Sequence, residues 1–333
     1  MITPQTNTTL ETIAQVIRDH ESFAVCGHVN PDGDCLGSQL ALVSALKTMG
    51  KDVVGLLAKD DPIDRNLRFL PGSDNLIFAD NYEGTPDVFI AVDVPTVERL
   101  GNAGAVHDRA AVTITIDHHR NDTSMAQYNY VDPDAAAACI LIWELLGYLD
   151  VRNEEVALDT LTGLITDTER FSYQNTDSHA FKAAAEMVSY GASPALVTRE
   201  FFQNRSEASI ALEQRMLERR TYATNTEFVY SHLWKSDFEE CSAIKADAEA
   251  LIDTLRSIAG VRVALILREN EQGEIRGSLR AKDDTDVAQV ARHFGGGGHK
   301  AAAGFTFKGS IEEALKEVPR VVIAMCFAQG DHA

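Results

Sequence analysis

Ala111-Val112-Thr113-Ile114-Thr115-Ile116-Asp117-His118-His119 is the stretch that decides the fold. Its alternating β-branched residues suit a pleated strand, and the run stops at one carboxylate and two imidazoles. A strand ending this way delivers three donor groups to the rim of a sheet, where α/β folds place their chemistry. The arrangement recurs on either side. Phe23-Ala24-Val25-Cys26-Gly27 precedes His28, Asp32 and Asp34, and Val88-Phe89-Ile90-Ala91-Val92 precedes Asp93. A further strand is expected at 53–57. Helical stretches at 36–49, stopped by Gly50, at 135–149 and at 154–165 intervene, the last leading to Asp167. Strands alternating with helices predict an α/β fold, a mostly parallel sheet with helices on both faces, and the unbroken apolar character of the strands suits burial from both sides.

Past Thr176 the pattern becomes helix after helix, then a second, smaller α/β unit begins, with strands near 228–231, 261–267 and 275–279 and helices near 246–258 and 287–294. The expected division is a first domain over 1–188, a helical connector over 189–220 and a second domain over 221–333. A chain of 333 residues accommodates two such cores.

Composition narrows the function classes. With 45% hydrophobic and 24% charged residues the chain is ordinary for a globular protein, and no apolar run approaches the ~20 residues a membrane-spanning helix needs. The polar opening, Met1 to Thr9, lacks the features of a secretory signal, so a soluble, cytoplasmic protein without membrane partners is expected. Five scattered cysteines with no CxxC pair read as small apolar filling, with a ligand role for Cys26 or Cys35 the lesser reading. A net charge of −20 opposes binding of long duplex nucleic acid, which relies on Lys and Arg neutralising phosphates. A phosphate-bearing substrate is therefore expected to be small, or drawn in by bound metal.

The chemistry concentrates in a few segments. In His28-Val29-Asn30-Pro31-Asp32-Gly33-Asp34-Cys35-Leu36-Gly37-Ser38 the proline and glycine predict a tight non-helical loop that lets His28, Asp32 and Asp34 converge ahead of a helix N-terminus. Taken alone, Asp34 reads equally as a helix cap, Asp32 as a turn closer, and each histidine as exposed or satisfied in the core. Taken together, Asp32, Asp34, Asp93 and Asp167 with the imidazoles crowd too much like charge at neighbouring strand ends to be buried without cations. Two divalent metals resolve that crowding. Mixed carboxylate and imidazole donors suit Mn²⁺, with Mg²⁺ or Co²⁺ as alternatives, and paired ions suit metal-assisted phosphoester hydrolysis. In the second unit, Arg276, Ser278 and Arg280 alternate onto one strand face, and Gly295-Gly296-Gly297-Gly298-His299-Lys300 offers backbone amides and donors to an anion. Phe171 and Tyr173, just past Asp167, suit base stacking or, more simply, packing.

The ordered set H-x-N-P-D-G-D-x-x-G-S, Asp93, Asp117-His118-His119, Asp167 and G-G-G-G-H resembles the DHH phosphoesterase family with its DHH-associated C-terminal domain, over nearly the whole chain. The length and helical connector look like its nanoRNase and pAp-phosphatase branch. That resemblance implies a hydrolase that trims short single-stranded RNA to mononucleotides and converts 3′-phosphoadenosine 5′-phosphate (pAp) to AMP, by attack of a metal-bridged hydroxide. It implies one manganese on His28, Asp32 and Asp93 and another on Asp34, Asp93, His118 and Asp167, with Asp93 bridging. His119 is implied to contact the phosphate and protonate the leaving group. Arg280, His299 and the amides of Gly296, Gly297 and Gly298 are implied to grip the substrate, with the gap between domains as the cleft. The strand departs from the branch pattern at Ala281, where a second serine is expected. Soluble cyclic- or linear-dinucleotide phosphodiesterases and a non-catalytic nucleotide-binding module are the competing readings, and the oligomeric state, a homodimer included, is open.

Overall fold

The computed structural model describes residues 5–120, 124–270 and 272–327, and it divides into two compact units, residues 1–204 and 205–333. The reading of Met1 to Thr9 falls in part outside the described residues. The first unit is built on six parallel strands: β1 (Ser22–Cys26), β2 (Asp52–Leu57), β3 (Ile77–Phe78), β4 (Val88–Val92), β5 (Val112–Asp117) and β6 (Tyr128–Val131), in the order β3-β2-β1-β4-β5-β6. Alternation sorts the central strands onto two cores. Phe23, Val25, Val88, Ile90 and Val92 face one side, and Ala24, Cys26, Phe89 and Ala91 the other.

The first side carries the helices α1 (Leu10–Asp19), α2 (Gly33–Thr48), α4 (Ala138–Leu149), α5 (Glu154–Asp167) and α6 (Ser178–Ser189). Nearly every side of α2 and α4 is apolar and buried, as expected of helices enclosed within a layer. The opposite side is covered more thinly, by a 3₁₀ turn at Val97–Ala103, the single-turn α3 (Gly104–His107) and loops. α2 and α5 approach closely because glycines face the seam: a Cβ on Gly37 would overlap the Asp159 carbonyl, and one on Gly163 would sit 2.8 Å from Asp34 Oδ1. The unit closes with α7 (Pro194–Val197), whose first turn is capped by Ser193.

Six strands form the second sheet, in the order β11-β12-β10-β9-β8-β7: β7 (Thr221–Ala223), β8 (Phe228–Leu233), β9 (Val263–Glu269), β10 (Ile275–Ala281), β11 (Gly297–His299) and β12 (Ala302–Phe307). All pairs are antiparallel except β8 with β9. Val263, Leu265 and Leu267 pack with α11 (Ala288–His293) and α12 (Ile311–Cys326). Ala264 and Ile266 pack on the other face with α8 (Glu207–Glu218) and α10 (Leu251–Ser257). The helix α9 (Lys235–Cys241) carries Asp237, which caps it through the Trp234 amide and pairs with Arg215 of α8 and with Arg219 just past its end.

Two expectations are revised. The stretch 189–220 is not one connector: α7 lies in the first unit, whereas α8 folds with the second because Leu212 and Met216 are part of its core. Nor is Gly33 part of a non-helical loop. It opens α2, because Asp32 Oδ1 accepts the Cys35 N–H (3.0 Å) and starts the helix three residues earlier than expected. Among the described residues no helix is long and apolar enough to cross a membrane, and all five cysteines are free.

Candidate metal centre

The order in which strands are added reverses between β1 and β4, since β1 leads outward to β2 and β3 while β4 leads the other way to β5 and β6. The carboxyl ends of strands at such a switch point leave a crevice. His28 enters it two residues beyond β1, Asp93 directly after β4, and His118 and His119 directly after β5. Asp32 caps α2 and Asp34 lies in its first turn, while Asp167 is the last residue of α5. Asp93 holds its place at a cost, with φ at 57°, while its N–H donates to the Ile116 carbonyl (2.9 Å).

The side chains meet in two groups that share Asp93. On one side His28 Nε2 lies 3.5 Å from Asp93 Oδ2 and 3.6 Å from Asp32 Oδ2. On the other, His118 Nε2 lies 3.5 Å from Asp93 Oδ1, 3.6 Å from Asp34 Oδ2 and 3.9 Å from Asp167 Oδ2. Both histidines turn Nε2 inward because Nδ1 is held by backbone, at the Val29 carbonyl (2.9 Å) for His28 and the Ala135 carbonyl (3.2 Å) for His118. All six residues named as metal-holding candidates from sequence are thus brought together. Asp34 is also fixed from behind, accepting the amides of Ala138 (2.6 Å) and Cys139 (2.9 Å) at the start of α4.

These donors fit divalent cations. Asp93, 1% exposed, has Oδ1 buried with only imidazole contacts, to His119 Nδ1 (3.3 Å) and His118 Nε2 (3.5 Å), a placement that suits a cation. Burial, reinforced by Asp93, pushes the Asp34 carboxyl up to about 8, and burial raises Asp167 to about 6 against the pull of His118. Asp93 goes the other way: burial is outweighed by hydrogen bonds from His119 and His28, which hold it well below the usual carboxylate range. One carboxylate held ionised beside two whose protons are bound more tightly than usual is what crowding of buried negative charge produces. Oxygen and imidazole donors of this kind suit Mn²⁺, Mg²⁺ or Co²⁺. Cys35 Sγ, which accepts the His28 N–H (3.1 Å), has its donor atom within 4.8 Å of those of His28 and Asp93, so a softer ion finds a sulfur there too.

Sequence reasoning gave no role to Asp117 beyond its place in the triplet. In the fold it is fully buried and accepts both the His118 N–H (2.9 Å) and His119 Nδ1–H (2.8 Å). The carboxylate thereby fixes the tautomer of His119, placing its proton at Nδ1 and its other nitrogen at the opposite end of the ring. No sequence signal marked it: the alternation of 112–116 puts Asp117 in phase with Thr113 and Thr115, and only the fold shows that end of β5 to be buried. Asn175 was missed as well. It donates to the Asp167 carbonyl (3.1 Å) and to the Ala136 carbonyl (2.8 Å), and no sequence feature marks it. Phe171 is packed on the core of the first unit and stacked on Phe181, with ring centroids 5.0 Å apart.

In the second unit β10 presents Arg276, Ser278 and Arg280 on one face, as alternation predicts. Register extends the row: Arg280 lies opposite Ala302, which lies opposite His299. Gly295 opens a turn at φ +75°, but the glycines after it are not a turn alone. Gly297 and Gly298 belong to the edge strand β11, where a Cβ on Gly298 would meet Ala303 at 2.7 Å, while Gly297 faces open space.

A parallel sheet of this order with a shared-carboxylate cluster at its switch point, followed by a mixed-sheet unit, defines a two-domain α/β class with a metal-suited pocket. The chain belongs to the DHH family: residues 22–166 match the DHH family N-terminal domain and residues 225–324 the DHHA1 domain. It is similar to the bifunctional oligoribonuclease and PAP phosphatase NrnA of Thermus thermophilus, 31% identical over 93% of this chain and 92% of that one. The protein of the same name from Bacillus subtilis is 26% identical over 88% and 91%. Among solved structures, an exopolyphosphatase-related protein from Bacteroides fragilis superimposes with a TM-score of 0.88 at 25% identity, covering 95% of both chains.

Proposed function

We propose that this chain is a manganese-dependent phosphoesterase that hydrolyses short oligoribonucleotides to mononucleotides and pAp to AMP. The observation that carries this reading is the division of Asp93, one oxygen 3.5 Å from His28 and the other 3.5 Å from His118. The names of the Thermus and Bacillus relatives support the substrate class. His28, Asp32 and Asp93 would hold one cation, and Asp34, Asp93, His118 and Asp167 a second. Such cations supply Lewis-acid activation of water and neutralise charge on phosphorus.

The remaining work falls to the chain itself. His119, part-exposed and oriented by Asp117, handles the proton of the departing oxygen. Arg276, Ser278, Arg280, His299 and the amides of Gly296, Gly297 and Gly298 anchor the substrate's phosphates in the second unit. The acidic surface discourages long nucleic acid and favours small substrates.

Incubation of the purified protein with Mn²⁺ and a panel of RNAs from dinucleotide to decanucleotide, pAp, linear dinucleotides and pyrophosphate tests the reading. Mononucleotides released from the shortest RNAs and AMP from pAp are the expected products, and Asp93→Ala should lower turnover roughly a hundred- to a thousandfold with the circular dichroism retained. No hydrolysis of any member under manganese loading would leave a nucleotide-binding module as the better description.

A further inference from the structure

Beyond the residues anticipated from sequence, the face of β9, β10 and β12 that bears Arg276, Ser278 and Arg280, and on which α8 and α10 cover Ala264 and Ile266, carries a further arginine. Arg268 stands directly opposite Arg276 in the antiparallel pairing of β9 with β10. Like charges placed opposite each other across a ladder destabilise it. Arg268 is also largely buried, with 11% of its side chain exposed. One guanidinium nitrogen donates to Ser278 Oγ (3.1 Å) and to the half-exposed Glu249 (3.2 Å), while its Nε is buried without a hydrogen-bond partner. Arg276 is exposed and donates to the neutral Thr306 hydroxyl (2.6 Å). Two cations and a hydroxyl thus share this face with the half-exposed Glu249, which pairs with Arg268, on a chain whose net charge is −20. The arrangement is short of negative charge where the molecule as a whole has an excess.

We propose that Arg268, Arg276 and Ser278 form a second phosphate subsite, which takes the far phosphate of a ligand whose two phosphates are separated by a nucleoside. The proposal rests on the phosphoesterase reading for its substrate class. The row of Arg280, Ala302 and His299 is the first subsite. Ser278 lies one two-residue repeat along β10 from Arg280, and Arg276 one repeat further, each step being about 7 Å. Directly linked phosphates, as in pyrophosphate or ADP, are too close together to reach both rows. A 3′- and a 5′-phosphate on one nucleoside, or successive phosphates of a short single strand, are spaced to do so. The planar guanidinium of Arg268, already turned toward Ser278, presents paired donors to a tetrahedral anion.

The test is equilibrium binding of pAp, AMP and ADP to the full chain in EDTA, which prevents turnover, comparing wild type with Arg268→Gln and Arg276→Gln. The expected result is a preference for pAp over AMP and ADP in the wild type, and a fall in the pAp-to-AMP affinity ratio of about tenfold in each variant. Arg276 is exposed, so its variant keeps the test valid if Arg268→Gln fails to fold. A ratio that stays within about twofold of wild type in the folded variants overturns the proposal. Because binding is read without metal, a selective pAp site in a protein that hydrolyses nothing would sink the enzymatic reading and leave the subsite standing.

Discussion

Asp117 illustrates how a single residue can govern a site it does not enter. It fixes the His119 ring by a 2.8 Å hydrogen bond and is itself sealed from solvent. An asparagine there keeps the shape and an acceptor oxygen but loses the charge that stabilises a protonated imidazole. Asp117→Asn is therefore expected to lower kcat by about ten- to a hundredfold while manganese uptake, measured by equilibrium dialysis, stays at the wild-type stoichiometry. Loss of metal along with activity would instead assign Asp117 to cation binding. Residue identity made the candidates legible: His28, Asp32, Asp34, Asp93, His118 and Asp167 fall at or beside predicted element ends, and the fold brings them together. The partner of Asp167 was not legible in the same way, because Asn175 ties it to Ala136 across a distance that only folding closes.

At the scale of elements, the α2–α5 seam carries Asp34 at one end and Asp167 beside it, with Asp159 buried further along. Both oxygens of Asp159 lack hydrogen-bond partners, and burial, with Glu155 adding to it, holds its carboxyl well above the usual carboxylate range. The folded protein therefore keeps a proton that the unfolded chain releases near pH 4. Stability from this group is full below that pH and declines as pH rises toward the folded-state value. Asp159→Asn is expected to stabilise the protein at pH 8 by about 1 to 3 kcal/mol, with a smaller gain at pH 5, in urea denaturation at the two pH values. A gain of equal size at both would show that the carboxyl is not the cause. The strands at the switch point were readable because their apolar runs are continuous. Short or mixed elements escaped: β3 has two residues, β11 is mostly glycine, and α2 starts early because an Asp32 side chain, not a hydrophobic period, sets its beginning.

For the molecule as a whole, cation binding and folding of the first unit are linked, since a dispersed set of carboxylates cannot hold an ion in the unfolded chain. The two tryptophans, Trp143 and Trp234, fall one in each unit, so Trp234→Phe leaves a fluorescence signal from the first alone. Manganese at about a hundred times its dissociation constant should stabilise that unit by about 2.7 kcal/mol, raising its melting midpoint by several degrees, and EDTA should reverse the rise. A midpoint indifferent to manganese would count against a cation site in this unit. From the sequence, two domains joined by a helical connector over 189–220 are expected, and the structure divides between residues 204 and 205. The helical character of 207–218 was plain in the sequence, whereas the choice of core for Leu212 and Met216 depends on neighbours far along the chain.

The left-handed backbone at Asp93 restricts what evolution can try there. Glycine and asparagine tolerate that geometry but bring no charge, and a longer acid meets it at greater steric cost. Aspartate therefore meets both demands with least strain, and lengthening the arm by one carbon would also carry the carboxylate away from the His28 and His118 nitrogens it now divides between.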